Sequence, residues 1–459
     1  MRDTAASFIA KSTVKAADLE HRRKINFNIA KYNAVVPVGK QQFGGNGMLV
    51  REKAKNRKWD AIEHLDKYLE EFERKITARG AKVIWAENAE QALEEIGKIC
   101  EAKNCKTLVK SKSMVTEEIH LNKYLESKGI ESVETDLGEY IQQLDGETPY
   151  HIVTPAMHKS KEDVAKLFAD KLGTPPHLSP EELTLVARKI LRDKYVEAEV
   201  GVTGANFIVA DVGGIAVTEN EGNARLSCGW PKTHIVVVGI EKMIPSIQDL
   251  AMFWPLLATY GTGQKITVYN TLVTGPRQAN EPDGPEEMYV VLLDNGRTNL
   301  LANPTSREAL YCIRCGACLN ACPVYKNIGG HSYETTYSGP IGSVITPYLS
   351  GVPEYKHLSY ASSLCGNCTE VCPVRINLHE LLLDNRHEAV AQGASSIAER
   401  IAWKAWKTAS MNRMMMNMGT GKMKNWVVNK VFKGWTAHRS DLDFSQKTFN
   451  EMWRDRYNA

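Results

Sequence analysis

At 459 residues, with 43% apolar and 24% charged side chains, the chain has the composition of an ordinary soluble protein and length for about two or three domains. A net charge of +3 is too small to point to nucleic acid. No run reaches the roughly eighteen apolar residues that span a bilayer, and the start of the chain lacks the apolar core of a signal peptide. The best apolar run, Leu250 to Leu257, is short and contains Pro255. A soluble, cytoplasmic protein is expected.

Residues 1–55 read as an irregular or helical extension closed by Gly44, Gly45 and Gly47. From Trp59 a helix is predicted, because Ile62, Leu65, Leu69, Phe72 and Ile76 recur at three- and four-residue steps and form one apolar stripe. Arg79-Gly80 stops it, and Lys82 to Trp85 reads as a strand. The alternation then repeats. Helices are predicted over Ala89–Ala102 and Thr116–Lys128, with strands at Thr107–Val109 and Ile130–Thr135. Such spacing predicts a layered α/β domain with a mostly parallel sheet, spanning residues 56–305.

Ser179, Pro180 and Glu182 form a capping-box signal for a further helix. Strand-like runs follow at Asn206–Ala210, Ile215–Thr218, His234–Gly239, Ile266–Tyr269 and Met288–Leu293. Asp211-Val-Gly213-Gly214 between the first two predicts a hairpin turn, and Asn295-Gly296 another turn. The glycines of Gly201-Val-Thr-Gly204 and Gly261-Thr-Gly263 fit no nucleotide-binding fingerprint and read as turn chemistry. Lys110, Ser111 and Lys112 follow a strand, where α/β sheets place ligands. With Glu219 and Asn223 they are candidates to line a pocket.

Residues 306–388 carry seven of the ten cysteines, in two short runs. The first is Cys312-Ile-Arg-Cys315-Gly-Ala-Cys318-Leu-Asn-Ala-Cys322-Pro323, a complete C-x2-C-x2-C-x3-C-P signature for iron–sulfur ligation. The second, Cys365-Gly-Asn-Cys368-Thr-Glu-Val-Cys372-Pro373, lacks the first cysteine, and Ser362 stands in its register. Two-residue gaps wrap the backbone around one corner of a cubane, while the fourth cysteine points to the other cluster. Cluster 1 would therefore take Cys312, Cys315, Cys318 and Cys372. Cluster 2 would take Cys322, Cys365 and Cys368. Two [4Fe-4S] clusters are expected, the second open to being [3Fe-4S] or to a non-cysteine fourth ligand: a serine oxygen, a water or a remote cysteine. A zinc site would gain nothing from the extra cysteines or the doubled Cys-Pro ending. Ligands of this kind must stay thiolates, which suits a reducing cytosol.

Cys100, Cys105 and Cys228 are expected to be buried thiols, with Cys228 the one to test as a remote ligand. His331, Tyr333 and Tyr337, between the runs, are candidates to tune cluster potential by hydrogen bonding, against simple packing as the alternative. Residues 389–459 are predicted to be a basic helical segment. From Arg400 to Trp435 there are eight Lys or Arg, no acid, six methionines, and Trp403, Trp406, Trp426 and Trp435. Solvated helices, or docking to an acidic subunit or anionic membrane face, both fit that pattern.

Several segments carry a family resemblance: Lys110 to Glu117, Gly204 to Asp211, Glu219 to Asn223, Gly284 to Arg297 and both cysteine runs. Over nearly its whole length the chain resembles the lactate utilisation protein B (LutB/YkgF) family. That resemblance implies a LUD-type α/β domain, related to sugar-isomerase and CoA-transferase folds, followed by a helical ferredoxin-like module. It also implies an iron–sulfur subunit of a three-protein complex oxidising L-lactate to pyruvate, with LutA-like and LutC-like partners. The missing first cysteine of the second run looks like the family pattern. Alternatives are a catalytic subunit binding a hydroxy acid at an open iron, an electron carrier for another 2-hydroxy-acid dehydrogenase, or an assembly platform with a vestigial pocket. No catalytic residue is assigned.

Overall fold

A computed structural model describes residues 3–431 and 440–457. Residues 3–389 form one compact unit, and the segment from Val390 forms another. Ten strands lie in the first: β1 (Lys82–Ala86), β2 (Thr107–Lys110), β3 (Glu131–Glu134), β4 (Val200–Thr203), β5 (Phe207–Val209), β6 (Gly214–Glu219), β7 (Thr233–Gly239), β8 (Met243–Ile244), β9 (Tyr269–Val273) and β10 (Glu287–Leu293). Six make an all-parallel sheet in the order β1-β10-β7-β4-β2-β3. The other four make a mixed sheet, β8-β5-β6-β9.

The parallel sheet is covered on both faces, which explains why β7 is buried at every position. Alternation along β7 divides its side chains between two cores. Val236 and Val238 pack with Leu65, Leu69, Phe72 and Ile76, while Ile235 and Val237 pack with Ile96, Ile99 and Leu108. The predicted stripe of residues 62–76 is thus buried throughout. Its helix differs in extent. It begins at Gly47 and breaks at His64, giving Gly47–Glu63 and Leu65–Thr77. Likewise the helix expected over 116–128 divides at His120, whose φ of +55° interrupts the helical path.

Two other expectations are corrected. Gly201 lies in the buried strand β4 rather than in a turn, while Gly204 follows just beyond the strand's end. Gly201 is needed because a Cβ there would meet the Ser227 carbonyl oxygen at 1.8 Å. The strand expected at Ile266–Tyr269 instead starts at Tyr269. Thr267 is held by side-chain hydrogen bonds to Asn270 and Thr218, and Ile266 and Val268 stay exposed. The Ser179 capping box forms as expected, as do the β5–β6 hairpin and the Asn295-Gly296 turn.

The N-terminal segment is helical, over Thr4–Ala17 and Leu19–Lys40. Its side chains share a core with the cysteine segment and with the apolar helix Leu250–Thr262. Gly39 lies so close to Gly263 that a Cβ would come within 2.3 Å of the Gly263 carbonyl oxygen. Gly263 itself, at φ +77°, ends the apolar helix.

Among its described residues the second unit carries helices Ile397–Met411, Arg413–Asn417, Gly421–Val431 and Phe449–Tyr457. Trp403, Trp406 and Trp426 are exposed in it, as are Met411, Met414 and Met418. Trp435 lies outside the described residues. Among the described residues no helix is long and apolar enough to cross a membrane.

Phe72 is fully buried under the parallel sheet. Phe72→Ala is expected to cost about 3–5 kcal/mol of stability, read as a lowered urea midpoint with an unchanged slope.

Candidate iron–sulfur site and adjoining cavity

The two cysteine loops repeat one backbone path. Arg314 and Leu364, each just before a cysteine, have φ of +60° and +53°; Gly316 and Gly366, each just after it, share φ +78°. A short helix then runs to the last cysteine of each run, Ala317–Ala321 in the first and Asn367–Glu370 in the second. Left-handed residues on both sides of one cysteine turn the chain tightly enough for neighbouring sulfurs to converge. The correspondence extends to the missing position. The Arg314 N–H donates to Cys312 Sγ at 3.4 Å, and the Leu364 N–H donates to Ser362 Oγ at 3.1 Å. Ser362 therefore occupies the local frame of a first cysteine.

Cys312, Cys315, Cys318 and Cys372 line one small cavity and act electrostatically on one another. Cys322, Cys365 and Cys368 form a second set of electrostatic neighbours. All seven are free thiols. Burial, then neighbouring thiolates, pushes Cys315 and Cys318 up, and Cys372 to about 12. Cys368 is raised to about 11, by burial first. Such convergent buried thiols cannot all ionise without a cationic centre, and a cluster's irons supply one. Backbone N–H groups of Tyr325 and Ile376 also donate to Cys322 and Cys372, at 3.5 and 3.3 Å. These residues fit a pair of iron–sulfur clusters.

Other sequence candidates separate. Tyr333 is buried beside Cys318 and Cys322, against Phe8. Tyr337 donates to Glu118 Oε2 at 2.6 Å, beneath the Arg314 guanidinium. His331 packs instead with Tyr150 and His158. Cys228 is not brought to either group: its electrostatic neighbours are Glu219 and Arg225. Cys100 and Cys105 are both buried, and the Cys105 thiol donates to the Thr107 carbonyl at 3.5 Å.

A cavity of about 270 Å³ lies at the carboxyl ends of β2, β4 and β7, where parallel sheets bind ligands. Ser111, Lys112, Glu219 and Asn223 line it as anticipated. Lys110 does not; it is fully buried between Glu134 and Glu117, at 2.6 and 3.0 Å. Asp136, Glu221, Lys242, Arg314, Cys315 and Tyr337 complete the wall, so the first cysteine loop closes the cavity. Burial, followed by Asp136, pushes Glu221 up to about 7. Burial lowers Lys242 to about 8.

Beneath that wall runs a buried ion network. Arg297 donates through both Nη atoms to Glu118 at 2.9 Å and through Nε to Glu241. Arg314 reaches Glu241 at 3.3 Å. Burial works to raise Glu241, but Arg297, Arg314 and Lys242 outweigh it and hold the carboxyl at about 2.

Comparison with known proteins adds the family. Residues 69–293 match the LUD domain, and residues 308–376 match the 4Fe-4S dicluster domain. Lactate utilization protein B of Bacillus velezensis is 44% identical over 429 residues, covering 90% of this chain and 89% of that protein. The Bacillus subtilis (strain 168) protein of that name is 43% identical, covering 89% and 91%; that of Geobacillus sp. is 48% identical, covering 78% and 76%. The chain belongs to the lactate utilization protein B family. A solved structure of a DUF162 family protein from Deinococcus radiodurans is also similar, at 14% identity and a TM-score of 0.29, covering 50% of this chain and 98% of that one.

In this member of the lactate utilization protein B family, sequence reasoning missed Lys242, Arg314 and the Arg297 network. The available signal was position: Lys242 follows β7 as Lys112 follows β2. Arg297→Met would leave Glu118 and Glu241 buried without their shared cation. Stability is expected to fall by about 3–5 kcal/mol. Arg297→Lys should restore little, since it cannot pair bidentately. Because Glu241 is depressed, its contribution is complete above its ordinary value of 4.5 and fades as pH falls towards about 2. The gap between wild type and Arg297→Met, followed by thermal unfolding, is therefore expected to narrow in acid.

Proposed function

We propose that this chain is the iron–sulfur electron-transfer subunit of a complex oxidising L-lactate to pyruvate. The observation that carries the reading is the pair of duplicated cysteine frames, one of which closes a cavity in the LUD domain. The name shared by the relatives supports lactate as the starting point. When bound, the clusters supply one-electron redox centres, and two of them match the two electrons a hydroxy acid releases on becoming a keto acid.

Within this reading Cys312, Cys315, Cys318 and Cys372 hold cluster 1. Cys322, Cys365 and Cys368 hold cluster 2, with Ser362 as its fourth ligand and both clusters [4Fe-4S]. Burial of Cys315, Cys318 and Cys372 keeps water from their sulfurs, and the Arg314 amide helps to hold the charge on the half-buried Cys312. Cys365 is exposed, so the second group meets solvent at that one cysteine and offers a partner a docking point there. Partner subunits of the LutA-like and LutC-like kind would complete the system, in a reducing cytoplasm where thiols persist. The exposed Trp and Met side chains of the basic second unit offer those partners a surface. The cavity adjoins Cys315 of the four-cysteine group, which favours this relay over substrate bound at an open iron of cluster 2.

Anaerobically purified protein is expected to hold about eight irons per chain, four for each cluster. Cys315→Ser should abolish one EPR signal and lactate-dependent respiration; normal growth on lactate would overturn the reading. Ser362→Ala should lower the iron content and Ser362→Cys retain it. An unchanged cluster 2 spectrum in Ser362→Ala would remove the serine from the ligand set.

A further inference from the structure

Away from the cysteine loops, three side chains with metal-ligating atoms meet at one point. One donor atom each of Glu147, His158 and His331 lies within 4.8 Å of the other two. Two are closer still, His158 Nε2 standing 3.0 Å from Glu147 Oε2. Zinc bonds of about 2.0–2.1 Å set neighbouring tetrahedral donors about 3.3 Å apart, so this pair already has the spacing of two ligands on one ion. The His158 and His331 rings meet edge to face, with centroids 5.0 Å apart. His331 Nε2 lies 2.7 Å from the Thr148 carbonyl oxygen, which can only accept. Nε2 therefore carries the ring proton and Nδ1 keeps a lone pair. A carbonyl that fixes the tautomer in this way is the usual support of a metal-bound imidazole. Burial holds His331 below its ordinary value, so the ring is neutral. For Glu147 burial works upward, but His158 and Lys159 outweigh it and hold the carboxyl at about 2.

We propose that Glu147, His158 and His331 form a site for one zinc ion, which fastens the loop between the two cysteine runs to the LUD domain. Imidazole with carboxylate suits Zn²⁺, whereas Mg²⁺ and Ca²⁺ are held by oxygen alone. A cavity of about 400 Å³ beside His158 leaves the fourth position to water. The backbone is shaped to bring the ligands together. Gly329 and Gly330 precede His331, and a Cβ on them would collide with the Tyr150 hydroxyl and carbonyl oxygens. Tyr150 in turn stacks on His158, with centroids 4.4 Å apart. One cation competes: Lys159 Nζ stands 3.0 Å from Glu147 Oε2 and is also paired with Asp145. Asp145 retains the lysine when the ion enters, and the carboxylate of Glu147 has lone pairs for both. Glu147 and His158 belong to the segment matching the LUD domain, and His331 to the one matching the dicluster domain. Tyr333, two residues beyond His331, is buried beside Cys318 and Cys322, so the ion steadies the loop next to both cysteine groups. This role is independent of the electron-transfer reading.

The test uses full-length, anaerobically purified protein with its clusters, cleared of loosely held metal by a weak chelator and titrated with Zn²⁺ or Mg²⁺. One Zn²⁺ per chain is expected to bind and to raise the thermal midpoint, and Mg²⁺ to do neither. X-ray absorption at the zinc edge should show nitrogen and oxygen neighbours at about 2.0–2.1 Å and no sulfur at about 2.3 Å, which separates this site from capture by cysteine. His331→Ala and Glu147→Gln should each weaken Zn²⁺ by about a hundredfold or more, beyond the roughly 10–100-fold that a lost outer partner costs. Lys159→Met removes the competing cation and should tighten it. A plain ion pair among Glu147, His158 and Lys159 predicts none of these shifts. If His331→Ala fails to retain its clusters, His158→Gln carries the same expectation in its place. Wild type that binds no zinc, unaltered affinity in the His331, His158 and Glu147 variants, or sulfur in the zinc shell would overturn the inference.

Discussion

Arg297 holds the ends of three strands and a cysteine loop to one point. It opens the helix that follows β10, and its two partners lie after β2 and β7. Taking such ions out of water costs several kcal/mol each, and only near-complete hydrogen bonding offsets it. That requirement leaves little freedom: Glu118 needs both Nη atoms, Asn295 and Tyr337, and Glu241 needs Arg297 and Arg314 together. Gly239 at the end of β7 reflects the same crowding, since a Cβ there would come within 2.1 Å of Glu241 Oε2. Through Arg314 the constraint passes to the first cysteine loop, and so to the wall of the cavity.

The cysteine loops show how one backbone device serves two ends. Both depend on a non-glycine residue held left-handed before the central cysteine, a strained position that tertiary packing must maintain. In the first loop that residue is Arg314, anchored by Glu241 and by Tyr337. In the second it is Leu364, with an exposed cysteine beside it. The same frame thus yields one group whose Cys315 borders the LUD cavity and another with a single exposed cysteine, Cys365.

Much of this architecture is legible in the residues. The stripe from Ile62 to Ile76 has one periodicity and one destination, so its helix is readable, although the break at His64 is not. The runs that became β7 and β10 are apolar because both faces of the parallel sheet are covered. Short elements were harder. β4 spans four residues and contains a glycine, and nothing in its local composition distinguishes it from a turn. Its strand state comes from pairing with β2 and β7 on either side. The run at Ile266 went the other way, because side-chain hydrogen bonds of Thr267 displaced the strand onto Tyr269.

Spacing alone determined the kind of chemistry. Cysteines two residues apart can converge on one centre whatever surrounds them, and the register that singles out Ser362 is countable along the chain. Tertiary structure decided what joins distant segments: that Cys228 stands apart, that Arg297 ties Glu118 to Glu241, and that Lys242 and Arg314 share a cavity wall with Ser111. Covalent spacing is local and survives in a one-dimensional string. Burial, ion pairing and the cavity arise only when strand ends more than a hundred residues apart are brought together.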